Sequence, residues 1–163
     1  MVAENIAFGI IAFAMAIGAI RVVTTKNVVH AALWLVLVLS GVAANYILLA
    51  AEFAAVVQVI VYIGAIIVLF LFGIMLTRAP IGKESSLDND QRWAAAVVGL
   101  LLFGLLTAVL AKAFGREHIH VVTIQRTAGV ADSIFTTYVI PFEVVSIVLL
   151  AALVGAVVIA RRD

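Results

Sequence analysis

Five long apolar runs separated by short polar ones make up most of this chain. A helix needs about 20 mostly apolar residues to cross the hydrocarbon of a bilayer. The runs at about 2–20, 28–51, 53–77, 93–114 and 139–160 meet that length. They are rich in Val and Ile, but an open sheet in lipid leaves its edge groups unpaired, so helix is the expected form. The third run is the strongest, with no charge from Phe53 to Thr77. The first is weaker, because only 5–20 is free of charge. The pattern predicts an all-α fold in a single membrane domain, 1–163, a polytopic protein of five transmembrane helices.

The connections differ in kind. Residues 21–27 form a short polar turn, and the second and third runs meet at Glu52, which requires a tight antiparallel hairpin. "RAPIGKESSLDNDQR", 78–92, combines Pro, Gly, Ser and mixed charge, the composition of a solvated loop. The loop at 115–137 is longer and holds a short alternating apolar piece at 120–124. No internal repeat is present, so the inverted-repeat plan of many transporters has no support. Arg21, Lys26, Arg78, Lys83, Arg92, Arg161 and Arg162 fall on one side of the membrane, and Lys112, Arg116 and Arg126 on the other. The richer side is expected to be cytoplasmic, with the N-terminus outside, the C-terminus cytoplasmic and the 115–137 loop external. The N-terminus lacks a basic stretch and carries Glu4, so the first run reads as a span of the mature protein and not a cleaved signal.

Composition sharpens this picture. The chain of 163 residues is 66% apolar and 12% charged, far from the roughly half apolar and quarter charged balance of soluble domains. A net charge of +1 and the lack of a basic run give no reason to expect nucleic acid. There is no cysteine, which removes disulfides, iron–sulfur ligation and thiolate chemistry from this chain. Of three histidines only His30 lies at a span end, which excludes a haem held between two membrane histidines.

The candidate chemistry lies in the few polar groups inside the spans. In "VQVIVYIGAIIVLFLF", 57–72, Gln58 and Tyr62 are four residues apart and share one face of a regular helix, with Ala54, Ala55 and Ala65 nearby. Tyr62 falls about 15 Å into the span, near mid-membrane. A phenol and an amide there need partners, because an unpaired polar group in hydrocarbon costs several kcal/mol. Gly64 admits two readings: close helix packing, the commoner use of small residues in membranes, or a π-bulge, which concentrates at functional sites. Glu143, one turn into the fifth span with Ser146 three residues on, is either an intramembrane acid on an ion pathway or an interfacial carboxylate favoured by the helix dipole. Glu52 reads as a solvated end residue, while His30, Asn45, Tyr46, Trp34 and Trp93 suit span ends and interfaces. "HIH", 118–120, has metal-like spacing without a third ligand. No nucleophile–base pair, phosphate loop or metal cage is present in the sequence.

"RVVTTKNVVHAALWLVL", "FAAVVQVIVYIGAIIVLFLFGIML" and "FEVVSIVLLAALVGAVVIARR" resemble, in order and spacing, the J-subunit family of the bacterial proton-pumping NADH:quinone oxidoreductase, respiratory complex I, whose mitochondrial counterpart is subunit 6. The resemblance covers all five spans and is strongest in the third. It implies a non-catalytic, multi-pass subunit of the cell inner membrane, packed among small hydrophobic subunits between the quinone-site subunit and the antiporter-like pumps. NADH, FMN, iron–sulfur clusters and quinone would all be handled by other subunits, with no cofactor or metal in this chain. The family carries a π-bulge around the stretch that is here Tyr62, Ile63, Gly64 and Ala65, and turning of that helix makes or breaks a hydrated proton path. Gln58, Tyr62, Gly64, Ala65 and Glu143 are thus the expected path and gating residues. Two departures stand out. The family often has Asn-Pro before His-Ala, where this chain has Asn27, Val28, Val29 and His30, which suggests a less sharply defined helix start. Some members carry Glu at the position of Gln58, which here can orient water but cannot hold a transferable proton. Alternative readings are a subunit of a related cation/proton antiporter or membrane-bound hydrogenase-type complex, a stand-alone transporter, or a purely structural helix scaffold.

Overall fold

The computed structural model describes residues 2–76, 91–115 and 126–161. They form α1 (Val2–Thr24), α2 (Val28–Leu48), α3 (Glu52–Val57), a π-helical segment (Gln58–Ile67), α4 (Val68–Leu76), α5 (Arg92–Phe114), α6 (Thr127–Phe135) and α7 (Val139–Ala160). With α3, the π segment and α4 continuous as one span, five helices are long and apolar enough to cross a membrane. The chain is an all-α, multi-pass membrane protein. The "HIH" stretch, the alternating piece at 120–124 and the loop at 78–90 lie outside the described residues.

Span limits differ from the sequence reading by a few residues. α1 continues to Thr24, so Arg21 stands in its last turn and not in a polar turn. A basic side chain there complements the negative end of the helix, and the Arg21 guanidinium lies 6.0 Å from the Trp34 ring on α2. The start of α2 is sharply defined without proline, contrary to expectation. Asn27 is its N-cap, with its side-chain oxygen accepting from Val29 N at 2.9 Å and His30 N at 3.3 Å. Those two bonds satisfy donors that the first turn otherwise leaves open. Within 115–137, where the residue pattern predicts a loop with a short alternating piece at 120–124, the structure has the nine-residue α6. It packs on α7 and α3, and Phe135 meets Phe142 edge to face with ring centroids 5.3 Å apart.

The hairpin between α2 and α3 is as tight as the sequence required. Ala50 N donates to Ile47 O at 3.0 Å and Ala51 N to Tyr46 O at 2.9 Å, closing the helix end in a Schellman arrangement. That closure puts Ala50 at φ 55°, where glycine is the usual residue. The chain therefore reverses without any polar loop, and the third span is held against α2.

The packed interior is a seam of small residues. Ala32, Ala43, Ala55, Ile67 and Gly18 are buried, and no large side chain is fully covered among the described residues. Small residues let helix backbones approach in lipid, where apolar side chains gain nothing by hiding from tails of equal polarity. α1 packs on α2, and α2 packs on the third span. Among the described residues α5 packs on no other helix, and α7 packs only on α6. In-span hydroxyls bond their own helix: Ser40 Oγ donates to Val36 O at 2.8 Å, and Thr107 Oγ1 to Phe103 O at 2.7 Å. This removes the cost of carrying them in hydrocarbon.

Candidate functional site

The third span changes helical register at its polar residues. Upstream, Ala55 and Gln58 face inward, three residues apart. Downstream, the covered positions are Ile63, Ile67, Leu71 and Ile74. From Gln58 to Ile63 the step is five, and elsewhere along this stripe it is three or four. A regular helix at 3.6 residues per turn would bring Tyr62 inward after Gln58. The π segment instead bonds across five residues, accommodating one extra residue and moving the inward position to Ile63.

This corrects the shared face expected of Gln58 and Tyr62. Gln58 is 6% exposed, the one buried polar residue among those described, whereas Tyr62 is 46% exposed. The two side chains therefore serve different surroundings: Gln58 faces the chain's own interior, and Tyr62 faces outward. Ala65 is also on the exposed side. At Gly64 an added Cβ would touch nothing within 4 Å except Val59 O at 3.4 Å. Among the described residues Gly64 thus mediates no close helix approach. Its place is inside the π segment, with Val59 O the nearest obstacle to a side chain.

Close approach belongs to glycines that the sequence reading did not single out. A Cβ on Gly18 would lie 2.9 Å from Leu37 Cδ2 and Val38 Cγ2, and one on Gly41 would lie 2.7 Å from Met15 Sδ. The signal was available, since Gly18 recurs on the α1 stripe Ile11, Met15, Gly18 and Val22 that faces α2. Beside this seam Asn45 Nδ2 donates to Met15 Sδ at 3.3 Å, and Asn45 Oδ1 is buried without a partner among the described residues. An unmet buried acceptor costs about 1–3 kcal/mol.

Glu143 is exposed on α7, about 6 Å from the start of that helix. Ser146 Oγ donates to Phe142 O at 3.1 Å, so this hydroxyl is engaged by its own helix. Among the described residues α7 touches only α6, and Glu143 is not brought to Gln58 or Tyr62. No group of three or more metal-ligating side chains occurs among the described residues.

A groove of about 490 Å³ runs beside the register change, lined by Ala43, Ile47, Glu52, Ala55, Val56, Val59 and Ile60. Its wall includes two residues of the π segment, so any shift in that segment reshapes it.

Residues 18–159 match the profile of the NADH-ubiquinone/plastoquinone oxidoreductase chain 6 family. The chain is 43% identical to the F(420)H(2) dehydrogenase subunit J of Methanosarcina mazei, over 98% of this chain and 92% of that one. It is 39% identical to the NAD(P)H-quinone oxidoreductase chain 6 of Leptolyngbya boryana, over 98% of this chain and 81% of the other. The chloroplastic NAD(P)H-quinone oxidoreductase subunit 6 of Zygnema circumcarinatum is 32% identical, again over 98% of this chain and 93% of the relative.

Proposed function

Because this chain belongs to the NADH-ubiquinone/plastoquinone oxidoreductase chain 6 family, we propose that its third span is a switch in the proton path coupling quinone reduction to translocation. The observation that carries the reading is the one-residue slip in the buried stripe between Gln58 and Ile63. Converting the π segment to a regular ladder turns everything downstream by roughly 100° relative to Gln58, one residue's share of a turn. Tyr62 would swing from the outer face toward the position after Gln58. A phenol that can donate and accept then either joins or leaves a hydrogen-bonded water chain beside the Gln58 amide. Gln58 orients water and does not itself carry a proton, so transferable protons come from acids of neighbouring subunits. Glu143 sits on a helix whose other neighbours belong to those subunits, where it serves the same path.

Electron transfer is assigned to other subunits, which hold NADH, FMN, iron–sulfur clusters and quinone, and this chain is non-catalytic. The names of the relatives support that division. One names F(420)H(2) and others NAD(P)H, yet all are matched over nearly the whole of this chain. The donor is therefore chosen elsewhere in the complex. The bare surfaces of α5 and α7 suit the quinone-site subunit, small hydrophobic subunits and antiporter-like subunits as neighbours. With basic residues concentrated at one end, the chain sits in the cell inner membrane with its N-terminus outside and C-terminus cytoplasmic.

Two variants of the intact complex test the switch. Deleting Ile63 removes the extra residue while keeping Ile67, Leu71 and Ile74 in packing register with α2. Gly64→Val places a β-branched side chain against Val59 O. Both are expected to lower proton translocation per electron, while electron transfer from the donor to an artificial acceptor is retained. Unchanged proton-to-electron ratios and unchanged quinone reduction in both variants would leave only a scaffold role.

A further inference from the structure

A second polar site lies away from the π segment, where the start of α1 meets the end of α2. A pocket of about 190 Å³ is lined by Glu4, Asn5, Phe8, Asn45, Leu48 and Leu49. Three of these six side chains are polar, in spans that are otherwise nearly pure hydrocarbon. Asn45 lies about 4.5 Å inside the end of α2. Its amide is poorly served there: Nδ2 donates to the Met15 thioether at 3.3 Å, and Oδ1 is covered with no donor among the described residues. Exchanging the amide's oxygen and nitrogen does not help, because a thioether sulfur accepts and cannot donate. The amide torsion is broad, so turning it toward the pocket is a small adjustment.

We propose that this pocket is a binding site for ordered water, held by Asn45 together with Asn5 and Glu4. Liquid water takes about 30 Å³ per molecule and a bound one needs two to four polar partners, so the space and the three side chains suit a small cluster. An acyl chain or an apolar side chain in the same place would leave the Asn45 acceptor unmet. The site depends on α1 and α2 being in the membrane and does not depend on the switch proposed for the third span.

A water-resolving map of the assembled complex should show density in the pocket within hydrogen-bonding distance of the Asn45 amide. A partner subunit's donor side chain, or lipid, in that position overturns the proposal. Labelling gives a second arm, because this chain has no cysteine of its own. Leu48→Cys and Ile47→Cys lie at nearly the same depth and both keep Asn45, but Leu48 lines the pocket and Ile47 does not. In the assembled complex a small charged thiol reagent should modify Leu48→Cys on the order of tenfold faster, since attack requires a solvated thiolate. Equal rates, or a faster rate at Ile47→Cys, overturn it. Failure in either arm leaves the switch in the third span unaffected, and failure of the switch leaves this site standing.

Discussion

Gly41 of α2 packs against Met15 of α1 so closely that a methyl group at position 41 would lie 2.7 Å from Met15 Sδ. The same methionine accepts from Asn45 one turn along α2. Backbone contact and polar contact therefore share one side chain. Gly41→Leu should destabilise the assembled complex by about 1–3 kcal/mol, the usual cost of overpacking. Gly9→Ala should be neutral or slightly stabilising, because among the described residues nothing lies within 4 Å of a Cβ there. Thermal inactivation of the two purified complexes, side by side, checks the contrast.

Ala50 holds a left-handed conformation that costs an L-residue roughly 1–2 kcal/mol. Ala50→Gly should recover much of that, raising the midpoint of thermal denaturation. Ala50→Val should lower it, because a β-branched side chain tolerates that region least. If the order of the two were reversed, the turn would not be closed as described.

Asn27 caps α2 through two backbone donors. Asn27→Ala should cost about 1 kcal/mol, and Asn27→Asp should be tolerated because a carboxylate caps equally well. The yield of assembled complex after mild heating distinguishes the two.

Tyr62→Phe keeps the ring and removes only the hydroxyl. If the phenol joins the proton path as proposed, the proton-to-electron ratio should fall while assembly and donor-to-artificial-acceptor activity are kept. Gln58→Leu tests the buried side of the same switch, replacing a 6% exposed amide by a side chain of similar volume. Its expected signature is lost coupling with the assembled complex retained. A stable, fully coupled Gln58→Leu enzyme would place the amide outside the path.

Five spans, the hairpin at Glu52 and the polar character of the third span could all be read from the order of residues. Each depends on length, hydropathy and the demand that lipid makes on every backbone group, and those are local quantities. The face that each residue occupies could not be read the same way. On a regular helix Gln58 and Tyr62 share one side, because four residues make nearly one turn. The π segment then sent one inward and the other outward. Likewise the residue pattern left Gly64 open between close packing and a π-bulge, and among the described residues Gly18 and Gly41 are the ones in close contact with a neighbouring helix. A hydrophobic stripe cannot reveal helix register when nearly every position is apolar. Sequence thus determined that these helices span the membrane and which groups there need partners. Packing against α2 decided the register, because only contact with a neighbouring helix tells one apolar face from another.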